Sequence, residues 1–121
     1  MPEAKNFFYF KTFYKDSLAD DGTWSDDWDL DTDLVIKRIH LIRKDGASFT
    51  DSVFYLKISE DVFTRENDMP AVVLGPDKSV SPELNIPCKA GERVSWTFTN
   101  KEGATISLFL VFECWREESR V

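Results

Sequence analysis

The chain has 121 residues, the length of a single domain with a hydrophobic core of its own. Its formal net charge of −7 repels polyanions, and the densest basic grouping is only Lys37, Arg38, Arg43 and Lys44, so nucleic acid and anionic membrane surfaces are disfavoured partners. Two cysteines and one histidine leave neither a disulfide framework nor a zinc-ligand spacing, and the longest apolar run, Leu108–Phe112, is too short to cross a bilayer.

Aromatic residues make up 14% of the chain, and they favour strands. Lys5–Lys15 (KNFFYFKTFYK) is the first strand, with Phe8, Phe10, Thr12 and Tyr14 on one face and Phe7, Tyr9, Lys11 and Phe13 on the other. Met1–Phe10 has no basic start, long apolar run or small-residue cleavage site, so a chain without a secretory signal, cytosolic as synthesised, is expected. Asp16–Gly22 is turn-rich. Thr23–Leu30 reads as a short edge strand with Trp24 and Trp28 four apart.

Leu34–Arg43 (LVIKRIHLIR) fits two periodicities. Val35, Ile39 and Ile42 would make a helical stripe, but the β-branched content and the Asp45-Gly46 turn favour a strand. A bulge near Lys37 and Arg38 would bring Ile36, Ile39 and Leu41 all to the interior. Phe49–Ile58 alternates, with Phe54, Leu56 and Ile58 inward. Ser59–Met69 reads as a loop with one helical turn at Glu60–Phe63, and Pro70–Leu74 as a short apolar strand. Leu84, Ile86 and Cys88 alternate as the next strand, turned by KAGE. In Arg93–Thr99, Val94, Trp96 and Phe98 point inward; Ala104–Trp115 is the last strand, and residues 116–121 read as a frayed tail.

About eight strands with turn signals between them, and no helix-length amphipathic run left to cover a sheet, predict one antiparallel two-sheet β-sandwich over residues 1–121.

Catalytic chemistry is poorly supplied. His40 is the single histidine and lies mid-strand, so a nucleophile–histidine site would have to be built on it, and no enzyme is expected. Seven aspartates fall between Asp20 and Asp33. Asp27, Asp29, Asp31 and Asp33 alternate, so an extended chain lines them along one edge, where they either bind calcium or keep a sheet edge from pairing. Trp24 and Trp28 lie in the same stretch and are either sugar-stacking platforms or hydrophobic anchors; Trp96 is inward by alternation. Cys88 and Cys114 both point inward, as buried thiols or as a bridge if their strands are neighbours.

The order of these segments carries a resemblance. An aromatic first strand leads to GTWSDDWDLDTDLVIKRIHL, then a hairpin at KDG and a central loop to DMPAVVL, and the chain closes with LNIPCKAGERVSWTFTNKEGATISLFLVFEC. This resembles the single jelly-roll proteins that build the capsids, spikes and decorations of some icosahedral viruses. The resemblance implies a jelly-roll subunit that packs against copies of itself and other structural proteins, located in a virion. Apolar residues on both faces of the first and last strands (Phe7, Tyr9 and Phe13; Phe109, Val111 and Trp115) fit such a partner surface. The alternative is a carbohydrate-binding β-sandwich using Trp24 and Trp28, with calcium at the aspartates and glycans as ligands.

Overall fold

The computed structural model describes residues 3–59, 61–62, 69–71 and 83–120; within its strands the side chains of 3–7, 9, 61–62, 69–70 and 117–120 fall outside that description. It is an all-β sandwich. The strands are β1 (Glu3–Leu18), β2 (Thr23–Asp29), β3 (Leu34–Arg43), β4 (Val53–Ile58), β5 (Asp61–Val62), β6 (Met69–Pro70), β7 (Ile86–Cys88), β8 (Arg93–Thr99) and β9 (Ile106–Arg120).

One sheet has the order β1-β9-β3-β7 and the other β2-β8-β4-β5, with β6 also on the β4 edge. Every described pairing is antiparallel. Successive strands switch sheets except within β4, β5 and β6, so β5 and β6 together fill one strand position. Eight positions wound in this way are a jelly roll.

Each sheet contributes one apolar face. Leu34, Ile36, Ile39 and Leu41 from β3 and Leu108, Leu110, Phe112 and Cys114 from β9 meet Phe54, Leu56, Val94, Trp96 and Phe98 across the gap, all buried. Trp96 sits at the centre, 4.6 Å from the Phe13 ring, 5.7 Å from Trp24 and 5.8 Å from Phe112. The bulge expected in β3 is present: the β9 register shifts between Ile36 and Arg38. It places Ile36, Ile39 and Leu41 at 0–1% exposure, which strict alternation does not allow.

Four segments depart from the sequence-based expectation. Thr50–Ser52 is not strand, because its backbone amides turn onto the carboxylate of Glu102 instead of a neighbouring ladder. Asp61–Val62, expected in a loop with a helical turn, pairs back on Lys57 and Ile58; Glu60 and Phe63 lie outside the described residues. Of the expected Pro70–Leu74 strand, Pro70 pairs with Val53 and the buried Ala71 has left the strand, while residues 72–82 lie outside the description. Arg116–Arg120, expected to fray, continues β9 and pairs with Glu3–Phe7. Since β3 meets β9 only from Val35 to Arg43, this stretch forms a two-stranded ribbon running past the end of β3.

One end of the sandwich is closed by two polar clasps. Asn100 is fully buried; its side-chain amide donates to the Leu18 and Ala104 carbonyls, and its carbonyl oxygen accepts from the Glu102 amide. The Glu102 side chain is 3% exposed and accepts hydrogen bonds from the amides of Thr50, Asp51 and Ser52, both neighbouring hydroxyls and the Arg43 guanidinium. The turn is completed by Gly103 at φ +81°, a conformation that costs a side-chain-bearing residue more.

Burial by itself raises the Glu102 pKa, but the hydrogen bonds from Ser52, Thr50 and Asp51 outweigh it, so the carboxyl lies below its ordinary 4.5. A folded-state pKa below the unfolded one means that the carboxylate's stabilisation is complete above pH 4.5 and is lost as pH falls through the lower, folded value. Glu102→Gln is therefore expected to cost about 2–3 kcal/mol at neutral pH. Urea denaturation of both proteins from neutral to strongly acidic pH checks this: the gap between them narrows as Glu102 of the wild type becomes protonated.

Candidate functional site

The β1, β9 and β3 registers determine what the outer side of the first sheet presents. Because side chains alternate, burying Phe112, Leu110 and Leu108 sends Phe109, Val111, Glu113 and Trp115 outward. Four rows result: Phe8 beside Trp115 and Val35; Phe10 beside Glu113 and Arg38; Thr12 beside Val111 and His40; Tyr14 beside Phe109 and Ile42. Phe10 is 57% exposed, Phe8 50%, Tyr14 42% and Trp115 39%.

The rings stand against one another. Phe8 meets Phe10 at 87° and Trp115 at 77°, while Tyr14 leans on Phe109 at 36° with centroids 4.7 Å apart. Amid these rings Glu113 is 8% exposed and holds Arg38 at 2.8 Å and His40 at 3.6 Å. A carboxylate in apolar surroundings needs such partners. Lys37 lies 4.9 Å over the Trp115 ring and pairs with Glu83, and Lys44 lies 5.9 Å from the Tyr14 ring.

The outer side of the second sheet differs in kind. Its rows run Thr23–Thr99–Val53, Ser25–Thr97–Tyr55 and Asp27–Ser95–Lys57. Hydroxyls bond across it, as in Ser25–Thr97 at 2.9 Å. This is an ordinary solvated face.

A cleft of about 510 Å³ lies where the edge strands β1 and β2 come together. Phe8 and Lys11 line it from β1, Trp28 and Asp29 from β2, and Asp31, Thr32 and Arg116 complete it. Trp28 backs onto Phe112, with centroids at 5.3 Å, and onto Phe13 at 6.0 Å. The Lys11 ammonium is 6.0 Å from the Trp28 ring.

The residues singled out from the sequence scatter across these features. Trp24 is 6% exposed and edge-on to Trp96, so it is a core residue and offers no platform. Its position four residues from Trp28 puts both on the inward side, but only Trp28 reaches the open edge of the sandwich. Phe13, expected among the surplus outer rings, packs inward on Trp96; Phe109 and Trp115 lie on the outer aromatic face. The side chains of Phe7 and Tyr9 lie outside the described residues. Sequence reading passed over Phe8, Phe10 and Tyr14 as partner-surface residues. Their alternation was visible, but which of two aromatic faces turns inward is decided by the opposite sheet.

The four aspartates do not converge. Arg93 takes Asp29 at 2.7 Å and Asp27 at 3.9 Å, and the hydrogen bond from Arg93 holds the Asp29 carboxyl below its ordinary pKa. Asp33 accepts the Ala90 amide at 2.8 Å, while Asp31 lines the cleft. The strand ends at Asp29, and the bends after Leu30 break the alternation that would have aligned them. Among the described residues, no group of three or more His, Cys, Asp or Glu side chains is arranged to share a metal ion.

Cys88 and Cys114 are free, buried thiols. Their strands are not neighbours: β3 runs between β7 and β9, separating the two backbones by two strand spacings, roughly 9–10 Å, beyond disulfide reach. Burial pushes both thiols up to about 12, leaving almost no thiolate at neutral pH. A thiol-reactive disulfide reagent is expected to leave both untouched in the native protein and to titrate two thiols once the chain is unfolded.

No protein-family model matches the chain, and neither the curated proteins nor the solved structures contain a significant match to it.

Proposed function

We propose that this chain is a non-catalytic assembly subunit, a virion-structural jelly roll that associates with copies of itself through the outer face of the β1-β9-β3-β7 sheet. The observation that carries the proposal is the contrast between the two outer faces. One sheet presents hydroxyls and charges, as a solvated surface does; the other presents Phe8, Phe10, Tyr14 and Trp115, each more than a third exposed, over an already apolar row of Val35, Ile42, Phe109 and Val111. Two groups of outward-facing rings, Phe8–Phe10–Trp115 and Tyr14–Phe109, on either side of the Thr12–Val111–His40 row and beside a hydrogen-bonded arginine, have the composition of an interface centre.

Two further features favour a protein partner, and a second copy in particular. Phe8 meets Phe10 and Trp115 edge to face, so this trio forms no flat platform for a sugar. The face is also balanced in charge: Lys37, Arg38 and Lys44 are answered by Glu83, Glu113 and Asp16. On a chain of net charge −7, it is a surface where two copies meet without excess like charge. The ribbon of Glu3–Phe7 with Arg116–Arg120 extends from the same side, and a two-stranded ribbon is marginal in water without something to pack on.

The jelly-roll winding is shared by capsid proteins, lectins and cupins, so the fold by itself does not select among them. The virion reading rests on the winding together with the aromatic face.

Size-exclusion chromatography with light scattering tests the proposal. The expected result is a dimer or larger species that dissociates on dilution. Phe10→Lys is expected to yield a monomer with little change in thermal midpoint, because that side chain is the most exposed of the four rings. A wild-type chain that stays monomeric at high concentration counts against the assembly role.

A further inference from the structure

We infer that the cleft between β1 and β2 binds a single neutral saccharide unit, with Trp28 as its stacking surface. This rests on the cleft and not on the self-association proposed above, although Phe8 lies on both surfaces. Its volume of about 510 Å³ falls within the range of small-molecule sites. Its lining, however, is not the mostly apolar wall of such sites. Lys11 and Arg116 supply donors, Asp29 and Asp31 supply acceptors, and Trp28 and Phe8 supply the rings.

A pyranose has matching chemistry: an apolar face of axial C–H groups and an equator of hydroxyls that both donate and accept. Lys11, Arg116 and the Arg93 behind Asp29 are matched by Asp29, Asp31 and Asp27, so no net field selects a charged ligand. Trp28 is held by Phe13 and Phe112 from behind, so its orientation is set before any ligand arrives. Asp29 is fixed likewise: Arg93 Nε bonds one carboxylate oxygen at 2.7 Å and Nη2 the other at 3.4 Å, leaving each oxygen with acceptor capacity. Asp31 and Thr32 follow the end of β2 and complete the lining beside Asp29. Among the described residues, the rings beside Trp28 are Phe112 of the core and Phe13, which packs against it; the Lys11 ammonium lies over the Trp28 ring at 6.0 Å, on a flexible stem that a stacking sugar displaces.

The test is a titration of isotope-labelled protein with glucose, galactose, mannose and N-acetylglucosamine, followed by amide and indole NMR shifts. At least one sugar is expected to move the Trp28 indole and the Lys11 and Thr32 amides saturably, with a dissociation constant in the millimolar range. Asp31→Ala changes an exposed side chain, so it is expected to leave the fold intact and weaken binding about tenfold, the loss of one good hydrogen-bonded contact. Trp28→Ala removes a ring that also packs on the core, so Trp28→Leu, which keeps most of that packing, serves as the second variant and is expected to abolish the shifts. Saturable shifts absent for all four sugars, or shifts that survive both variants, would overturn the inference. Binding confined to an acidic sugar such as N-acetylneuraminate would overturn the neutral-ligand assignment.

Discussion

The packing of Trp96 between the two sheets is the constraint from which the rest follows. It is 1% exposed and touches rings from β1, β2 and β9. Once Trp96 points inward, the period of two turns Val94 and Phe98 inward with it and Ser95 and Thr97 outward. The opposite sheet must supply the other half of the same core, which it does with Phe13, Leu110 and Phe112. That choice sends Phe8, Phe10, Tyr14, Phe109 and Trp115 to the outside. A one-residue slip of β9 against its neighbours would turn Leu110 and Phe112 outward and Phe109 and Trp115 inward, at the expense of the core. The exposed rings are therefore a consequence of register and not of a poorly formed surface.

The polar groups inside the structure serve to make that register unique. Asn100 ties the turn after β1 to the turn before β9, and Glu102 gathers three consecutive amides of the β3–β4 connection. Both lie at one end of the sandwich. Buried groups of this kind contribute little net energy when satisfied and cost several times more when left unpaired, so they penalise alternative pairings more than they stabilise the native one. The β3 bulge acts in the same direction. It lets a sequence with apolar residues at 36, 39 and 41 bury all three, and it aims Arg38 and His40 at Glu113.

The two proposed roles fall on surfaces that the fold keeps apart in character. The broad aromatic face suits another protein, because its outward-facing rings spread over β1 and β9 and include edge-to-face contacts. The cleft at the β1–β2 edge suits a small ligand, because one ring lies among donors and acceptors in a concave place. Phe8 borders both. The acidic stretch from Asp20 to Asp33 contributes to neither as a cluster. Its members are engaged apart from one another: Asp27 and Asp29 by Arg93, Asp33 by the Ala90 amide, Asp21 by Lys101, and Asp29 and Asp31 in the cleft lining. Carboxylates along the exposed β2 edge also discourage edge-to-edge pairing with other strands.

Local pattern by itself determined that the chain is a two-sheet sandwich, which residues of β3, β4, β8 and β9 are inward, and that β3 carries a bulge. Each of these depends on period-two alternation or on a nearby turn, and both are written in neighbouring residues. Tertiary structure alone decided the rest. Trp24 and Trp28 share a face and a composition, yet one is core and the other lines a cleft, because only the far sheet determines where the edge lies. Phe8 and Phe13 belong to two equally aromatic faces of one strand, and the rings of β8 and β9 chose between them. Thr50–Ser52 reads as strand until a carboxylate fifty residues away claims its amides. Contacts between residues far apart in the chain leave no periodic trace in the sequence, and both candidate sites of this protein are made of such contacts.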